Sequence, residues 1–279
     1  MVMTEKIPVA GPWARDVLSV RGPDALRFLQ GQLSADVESL EVGQSATALL
    51  LEPTGKLGWL LRIWRTDENI VFMDTDGGQG GAVAERLGRF LLRTDASVER
   101  HEWECIAVRG PGSHAVDVSD TSAVLVGVGL WPSVEGIDLL GPSVSAPPRT
   151  EPVPAEALEF LRVASGWPAH GSEFTDGVIP AELGAWVIDS AVSFTKGCYV
   201  GQELTARMDS RGAGAPRNLV VLEPARPAAP GARILSGGEV VGEVTSAATD
   251  PVSGSNAAMG FVKRSAGDVE SLTIAAPTS

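Results

Sequence analysis

Cysteine is almost missing from this chain, which holds only Cys105 and Cys198. Two thiols so far apart build no disulfide framework, so both are read as free thiols in a reducing compartment. Basic residues are also scarce: 22 Lys and Arg stand against 35 Asp and Glu, a net charge of −13. That balance opposes broad contact with phosphate backbones or anionic membranes. No apolar run approaches the roughly 20 residues that span a bilayer, and MVMTEKIPVAGPWARDVL holds none of signal-peptide length. A soluble, cytoplasmic protein is expected. The three histidines, His101, His114 and His170, do not fall at spacings that share a helical face, and no CxxC accompanies them, which argues against a zinc site. GGQGG and GAG lack the strand, GxGxxG and helix context of a dinucleotide site and the Gly-Lys-Ser/Thr ending of a phosphate loop. They read as turns.

What is present is enough apolar sequence to bury a core in 279 residues, as one large domain or two to three smaller ones. VRGPDALRFLQGQLSADV reads as a strand followed by a short amphipathic helix. TALLLEPTGKLGWLLRIWR is two apolar runs around a Pro- and Gly-containing turn, a β-hairpin. NIVFMDTD reads as a further strand. GGAVAERLGRFLL places Val83, Leu87, Phe90 and Leu91 on one helical face. ECIAVRGPG, SAVLVGVGL and GIDLLGP are strand candidates, and a Pro-rich connector leads into a helix that ends at Gly166. Beyond about residue 215 the texture is β throughout, as in a small barrel or sandwich, and PARPAAPGA suits a turn between strands.

One stretch is too polar for a core and carries one of the two cysteines: SFTKGCYVGQELTAR, residues 193–207. Lys196 stands two places from Cys198, and a nearby ammonium favours the reactive thiolate. Gly197 and Gly201 allow tight bends around it. The bland alternative is an inert thiol in a turn, with Tyr199, the only tyrosine, packed at an interface. Gln202 and Glu203 are adjacent, so both cannot face the core of one strand, and at least one reaches into a cleft or caps a turn. From Lys196 to Arg217 there are four cations (Lys196, Arg207, Arg211, Arg217) against two anions (Glu203, Asp209), a local excess that suits a small anionic ligand.

KGCYVGQE, with the AR and RG that follow, resembles the signature of the YgfZ-type folate-binding proteins, relatives of the glycine-cleavage T-protein (aminomethyltransferase). Upstream, Arg162, Gly166, Pro168, Gly171, Glu173, Pro180 and Glu182 carry a similar pattern. GEVTSAATDPVSGSNAAMGFV is similar to the C-terminal barrel segment the two groups share, and FLQGQLSADV and LEPTGKL are weaker echoes. The likeness runs from about residue 15 to 275. It implies an α+β fold, a ring of two interleaved α+β regions within 1–214, plus a C-terminal β-barrel at 215–279.

The resemblance further implies tetrahydrofolate, or a one-carbon derivative, as cofactor. In VEGIDLLGP, Asp138 takes the place of a T-protein Glu that holds the pterin. One carboxylate can accept both N–H groups of that edge. Lys196 and Cys198 would lie near the carrier, while Gln202, Glu203, Arg207, Arg211 and Arg217 are the remaining candidate contacts, the arginines for the glutamate tail. The T-protein hairpin carries an essential Asp pair where this chain has Gly58, Trp59 and Leu60, so glycine-cleavage chemistry is not expected to carry over. The implied role is an accessory protein for assembly or repair of iron-sulfur enzymes, with iron-sulfur client or assembly proteins as partners. A folate-dependent aminomethyl transferase is the alternative. A factor affecting tRNA modification indirectly, without direct nucleic-acid binding, is the third reading.

Overall fold

The computed structural model describes residues 7–129, 131–203 and 215–275. The chain divides into two compact units and crosses between them repeatedly. One comprises Met1–Ala14, Trp103–Pro168 and Leu219–Ser279, the other Arg15–Glu102 and Ala169–Asn218.

In the second unit the strands β2 (Arg15–Arg21), β3 (Ser45–Leu51), β4 (Leu57–Asp67), β5 (Ile70–Asp76) and β6 (Ser97–His101) form an antiparallel sheet in the order β3-β4-β5-β2-β6. The expected hairpin is β3 and β4, closed by a turn in which Gly55 donates to the Glu52 carbonyl at 2.8 Å. Alternation along these strands sends Leu18, Val20, Leu61, Ile63, Val71 and Met73 to one face, where they pack with Phe28, Leu29 and Leu33 of the α1 region (Ala25–Gln32) and with Val83 and Leu87 of α2 (Gly80–Gly88). The helix read through Leu91 stops at Gly88. Phe90 lies beyond its end and covers the Arg86 guanidinium at 4.3 Å. A further helix, α4 (Ala185–Ala191), packs near β3.

In the first unit β1 (Val9–Pro12), β7 (Glu104–Arg109), β8 (Leu125–Val128), β9 (Gly136–Gly141) and β10 (Glu151–Pro152) form a sheet in the order β10-β1-β7-β9-β8. Helix α3 (Ala155–Ser165) ends at Gly166, whose φ of 77° is the left-handed conformation that terminates helices without strain only at glycine. The β-rich C-terminal texture resolves into β11 (Arg217–Leu222), β12 (Arg233–Ser236), β13 (Glu239–Thr249), β14 (Asn256–Lys263) and β15 (Leu272–Ile274), a sheet in the order β11-β14-β13-β12-β15. Register shifts at Ile234/Leu235 and Val244/Ser246 curl it around Ile234, Val244, Ala258 and Val262. PARPAAPGA is the connection between β11 and β12.

Candidate functional site

The segment that carries Cys198 is fastened on both sides to the end of α1. Residues at a helix C-terminus leave carbonyls without intrahelical donors, and the last turn of α1 has no basic residue of its own. Lys196 supplies the donor. Its Nζ gives hydrogen bonds to the carbonyls of Gln30 (2.6 Å), Leu33 (2.7 Å) and Ala35 (2.7 Å), a cation at the negative end of the helix. Before it, Ser34 Oγ donates to Ala191 O while Ser193 N donates to Ser34 O, so the exit of α4 is tied down too. After it, Val200 N donates to the Gly31 carbonyl at 3.1 Å, and Gln202 Oε1 accepts from Tyr199 N at 3.0 Å. Gln202 therefore caps the turn. Tyr199 is buried, and Gly201 has a φ of 83° with room for no Cβ, since one would sit 2.5 Å from the Glu52 carbonyl.

Between these two anchors Cys198 is exposed and free of any disulfide, whereas Cys105 is buried. The structure thus presents one thiol on a fixed crest. Lys196 does not reach it by hydrogen bonding, because its three ammonium protons are engaged by the three carbonyls. Burial pulls the Lys196 amine down to about 8, against the opposing pull of Asp36 and Glu38.

The face of the second unit's sheet away from the helices carries a charged cluster that sequence reading missed. Asp74, fully buried, meets Arg15 Nε at 2.7 Å and Arg62 Nη2 at 2.8 Å, and Arg15 Nη1 continues to Asp76 at 2.6 Å. Arg62 also lies over the Trp64 ring at 4.7 Å. At the end of β5, Asp76 accepts from the His170 backbone N–H at 2.9 Å, and the His170 ring stacks on Trp59 at 6.2 Å, with Trp59 Nε1 donating to Gln79. Burial lowers the His170 pKa, while Asp76 and Asp176 oppose that shift. The signal was alternation: Asp74 and Asp76 are two apart on β5, and the register pairs them across to Arg62 and Arg15.

Asp138 stands in the first unit, on β9, opposite Ala107 of β7 and Gly127 of β8. Its carboxylate forms an ion pair of 2.7 Å with Arg109, and its side chain is 7% exposed. Arg217 bonds Glu182, Nε to Oε1 at 3.0 Å. Glu203 is exposed, and Arg207 and Arg211 lie outside the described residues. The residues of the upstream pattern are fasteners: Arg162 bonds Glu159, the Trp167 carbonyl and Ser246, while Glu173 accepts from Ala169 N and Glu182 from Ile179 N.

Residues 217–277 match the family model described as the glycine cleavage T-protein C-terminal barrel domain. Over 93% of its length the chain superposes on the crystal structure of glycine cleavage system aminomethyltransferase T from Bartonella henselae, with a TM-score of 0.73, 20% identity and 79% of that chain covered. The fold is that of the T-protein: mixed α+β ending in a curled antiparallel sheet. Similar sequences include an aminomethyltransferase of Streptomyces coelicolor (26% identity, 88% of this chain, 75% of the relative). The tRNA-modifying protein YgfZ of Edwardsiella ictaluri is 27% identical over 70% of this chain. An iron-sulfur cluster assembly factor IBA57 homolog of Neurospora crassa is 26% identical over 71% of this chain. The chain spans 65% of the Edwardsiella protein and 50% of the Neurospora protein. Together the relatives and the fold support a YgfZ-type protein related to the T-protein.

Proposed function

We propose that this protein is a tetrahydrofolate-binding accessory factor that supports assembly or repair of iron-sulfur enzymes, with Cys198 as its working thiol. The observation that carries the reading is the exposed Cys198 on a crest pinned by Lys196 on one side and Val200 on the other. A thiol held that way is accessible to a partner and fixed in direction, which suits a sulfur or redox contact with a client protein. Relatives named for YgfZ and for iron-sulfur cluster assembly support the same role at the level of the family.

For the folate, Asp138 is the proposed pterin partner: a carboxylate is the chemical complement of the N–H edge of a pterin, and this one faces Arg109 at 2.7 Å. Bound folate would supply a one-carbon carrier. Arg217, with Arg207 and Arg211, would receive the glutamate tail, for which Glu182 is then the competitor. Affinity is expected to rise with tail length and fall with salt. Gln202 and Glu203 remain proposed contacts, Gln202 through the turn that it caps.

Aminomethyl transfer is the weaker reading. Gly58, Trp59 and Leu60 offer no carboxylate, and the nearby Asp76 is committed to Arg15 and to the His170 backbone. A link to tRNA modification, the activity for which one relative is named, would pass through an iron-sulfur enzyme, since the net charge of −13 opposes direct RNA binding.

Two measurements test the proposal. Calorimetry with tetrahydrofolate and its formyl and methylene forms should show binding by at least one of them. In a strain lacking the protein, iron-sulfur enzyme activities should fall under oxidative stress and recover with the intact chain but not with Cys198→Ser. Full recovery with Cys198→Ser, or normal activities in the deletion strain, would defeat it.

A further inference from the structure

β8 (Leu125–Val128) is the last strand of the first unit's sheet: β9 pairs with it on one side, and among the described residues no strand pairs with it on the other. Gly129 N donates to the Gly136 carbonyl at 2.7 Å, so the backbone groups of Leu125, Gly127 and Gly129 face β9, and the alternation of an antiparallel ladder turns the N–H and C=O of Val126 outward. The side chains are as open as the backbone. Val126 stands opposite Leu139 and Val128 opposite Ile137, so these valines continue the face on which Leu139 and Ile137 are buried with Val108 and Val144. The cover over that face stops short of β8, and Val124, Val126 and Val128 are 57%, 44% and 55% exposed. Proteins commonly blunt such an edge with a lysine or a proline, and SAVLVGVG, residues 122–129, holds neither. The surroundings carry one sign of charge. Between Arg109 and Arg149 the sequence has no lysine or arginine, while Asp117, Asp120 and Glu135 are exposed, and among the described residues none of these three is paired with a cation. Asp120 lies ahead of the strand and Glu135 in the connection behind it.

We infer that the β8 edge is a docking site for an extended segment of a partner protein, a strand with apolar, β-branched residues at alternate positions and lysine or arginine at its ends. Backbone hydrogen bonds to Val126 add that segment to the sheet, and its apolar side chains cover Val124, Val126 and Val128. Its cations meet the acids that flank the strand, Asp120 and Glu135. A second copy of this chain is a poorer occupant, because it brings the same acids to the same edge and each copy carries a net charge of −13. β8 belongs to the first unit and Cys198 to the second, so this surface stands or falls separately from the reading of the thiol.

The probe is a fluorescein-labelled peptide, Lys-Val-Thr-Val-Thr-Val-Lys, with a twin that has glutamate at both ends, each titrated with the full chain and read by anisotropy. The basic peptide should bind at least about tenfold more tightly than the acidic twin at low salt, and the preference should shrink as salt rises. Two further peptides carry N-methyl groups, one on the valines and the other on the threonines. A strand pairs through one edge and successive residues point their N–H groups to opposite edges, so one of the two should lose binding about tenfold or more while the other keeps it. Val126→Lys, at an exposed position, should weaken the basic peptide about tenfold or more and leave the thermal midpoint unchanged. The peptide arms need no variant to fold. No saturable binding of the basic peptide, equal affinity for its acidic twin, equal behaviour of the two N-methylated peptides, or full affinity in folded Val126→Lys would overturn the inference. So would a dimer in sedimentation equilibrium that Val126→Lys converts to monomer, since a second copy then holds the edge.

Discussion

The ammonium of Lys196 lies 2.6 Å from the carbonyl oxygen of Gln30, a residue 166 positions earlier in the chain. With Leu33 and Ala35 it completes a three-carbonyl seat at the end of α1, and that seat decides how the cysteine crest is held. Lys196→Met is expected to leave those carbonyls without their donor and to lower stability by about 1 to 3 kcal/mol, read as a lower urea midpoint with an unchanged slope.

The same seat gives a pH signature. Burial holds the Lys196 amine at about 8 in the folded protein against the ordinary 10.5. Between those values the unfolded chain binds the extra proton, so this group makes stability rise with pH across that window. Urea unfolding at pH 7.5, 9 and 10 should show an upward contribution in the intact chain that Lys196→Met lacks. Identical pH profiles for the two proteins would refute the depressed amine.

The two thiols should separate cleanly. Maleimide is expected to label Cys198 in the native protein and Cys105, 5% exposed within its sheet, only on unfolding. Mass spectrometry of tryptic peptides reads the result, and native labelling of Cys105 ahead of Cys198 would contradict the crest geometry.

The glycines that flank Cys198 should differ. Gly201→Ala forces a positive φ on alanine and drives its Cβ against the Glu52 carbonyl, a loss of about 1 to 3 kcal/mol or more. Gly197 has open space where a Cβ would stand and needs no left-handed backbone, so Gly197→Ala should stay within about 0.5 kcal/mol of the parent. Thermal melts of the two variants make the comparison.

Asp74 is the counter-ion of two arginines in a fully buried position. Asp74→Asn should cost about 3 to 5 kcal/mol, since removing one partner strands buried charge. A double variant that also replaces Arg62 by Met should recover part of that loss, which a simple packing defect would not allow.

The turn at KGCYVGQE was legible because its composition contradicts its neighbours: a cysteine, a lysine and two glycines in a polar run do not suit a core strand or helix. Hairpin β3–β4, the helix ending at Gly166 and the β-rich C-terminal segment were legible for a related reason, since periodicity and turn chemistry are local and these elements obey them. Helix α2 was read too long because Phe90 and Leu91 continue the apolar spacing. Its end is a change of backbone pairing, Phe90 N and Leu91 N donating to the carbonyls of Leu87 and Gly88, three residues back instead of four.

Sequence alone determined the alternation of the strands, the turn at Gly201 and the rarity of the thiols, since each follows from the backbone preferences and composition of a few neighbouring residues. Tertiary structure decided which charges meet. Lys196 finds the end of α1, Asp74 finds Arg15 and Arg62, and Arg109 finds Asp138, all across gaps in sequence that no local preference spans. Charged groups taken from water must find a partner, and only the register of strands and the packing of helix ends fixes which partner is within reach.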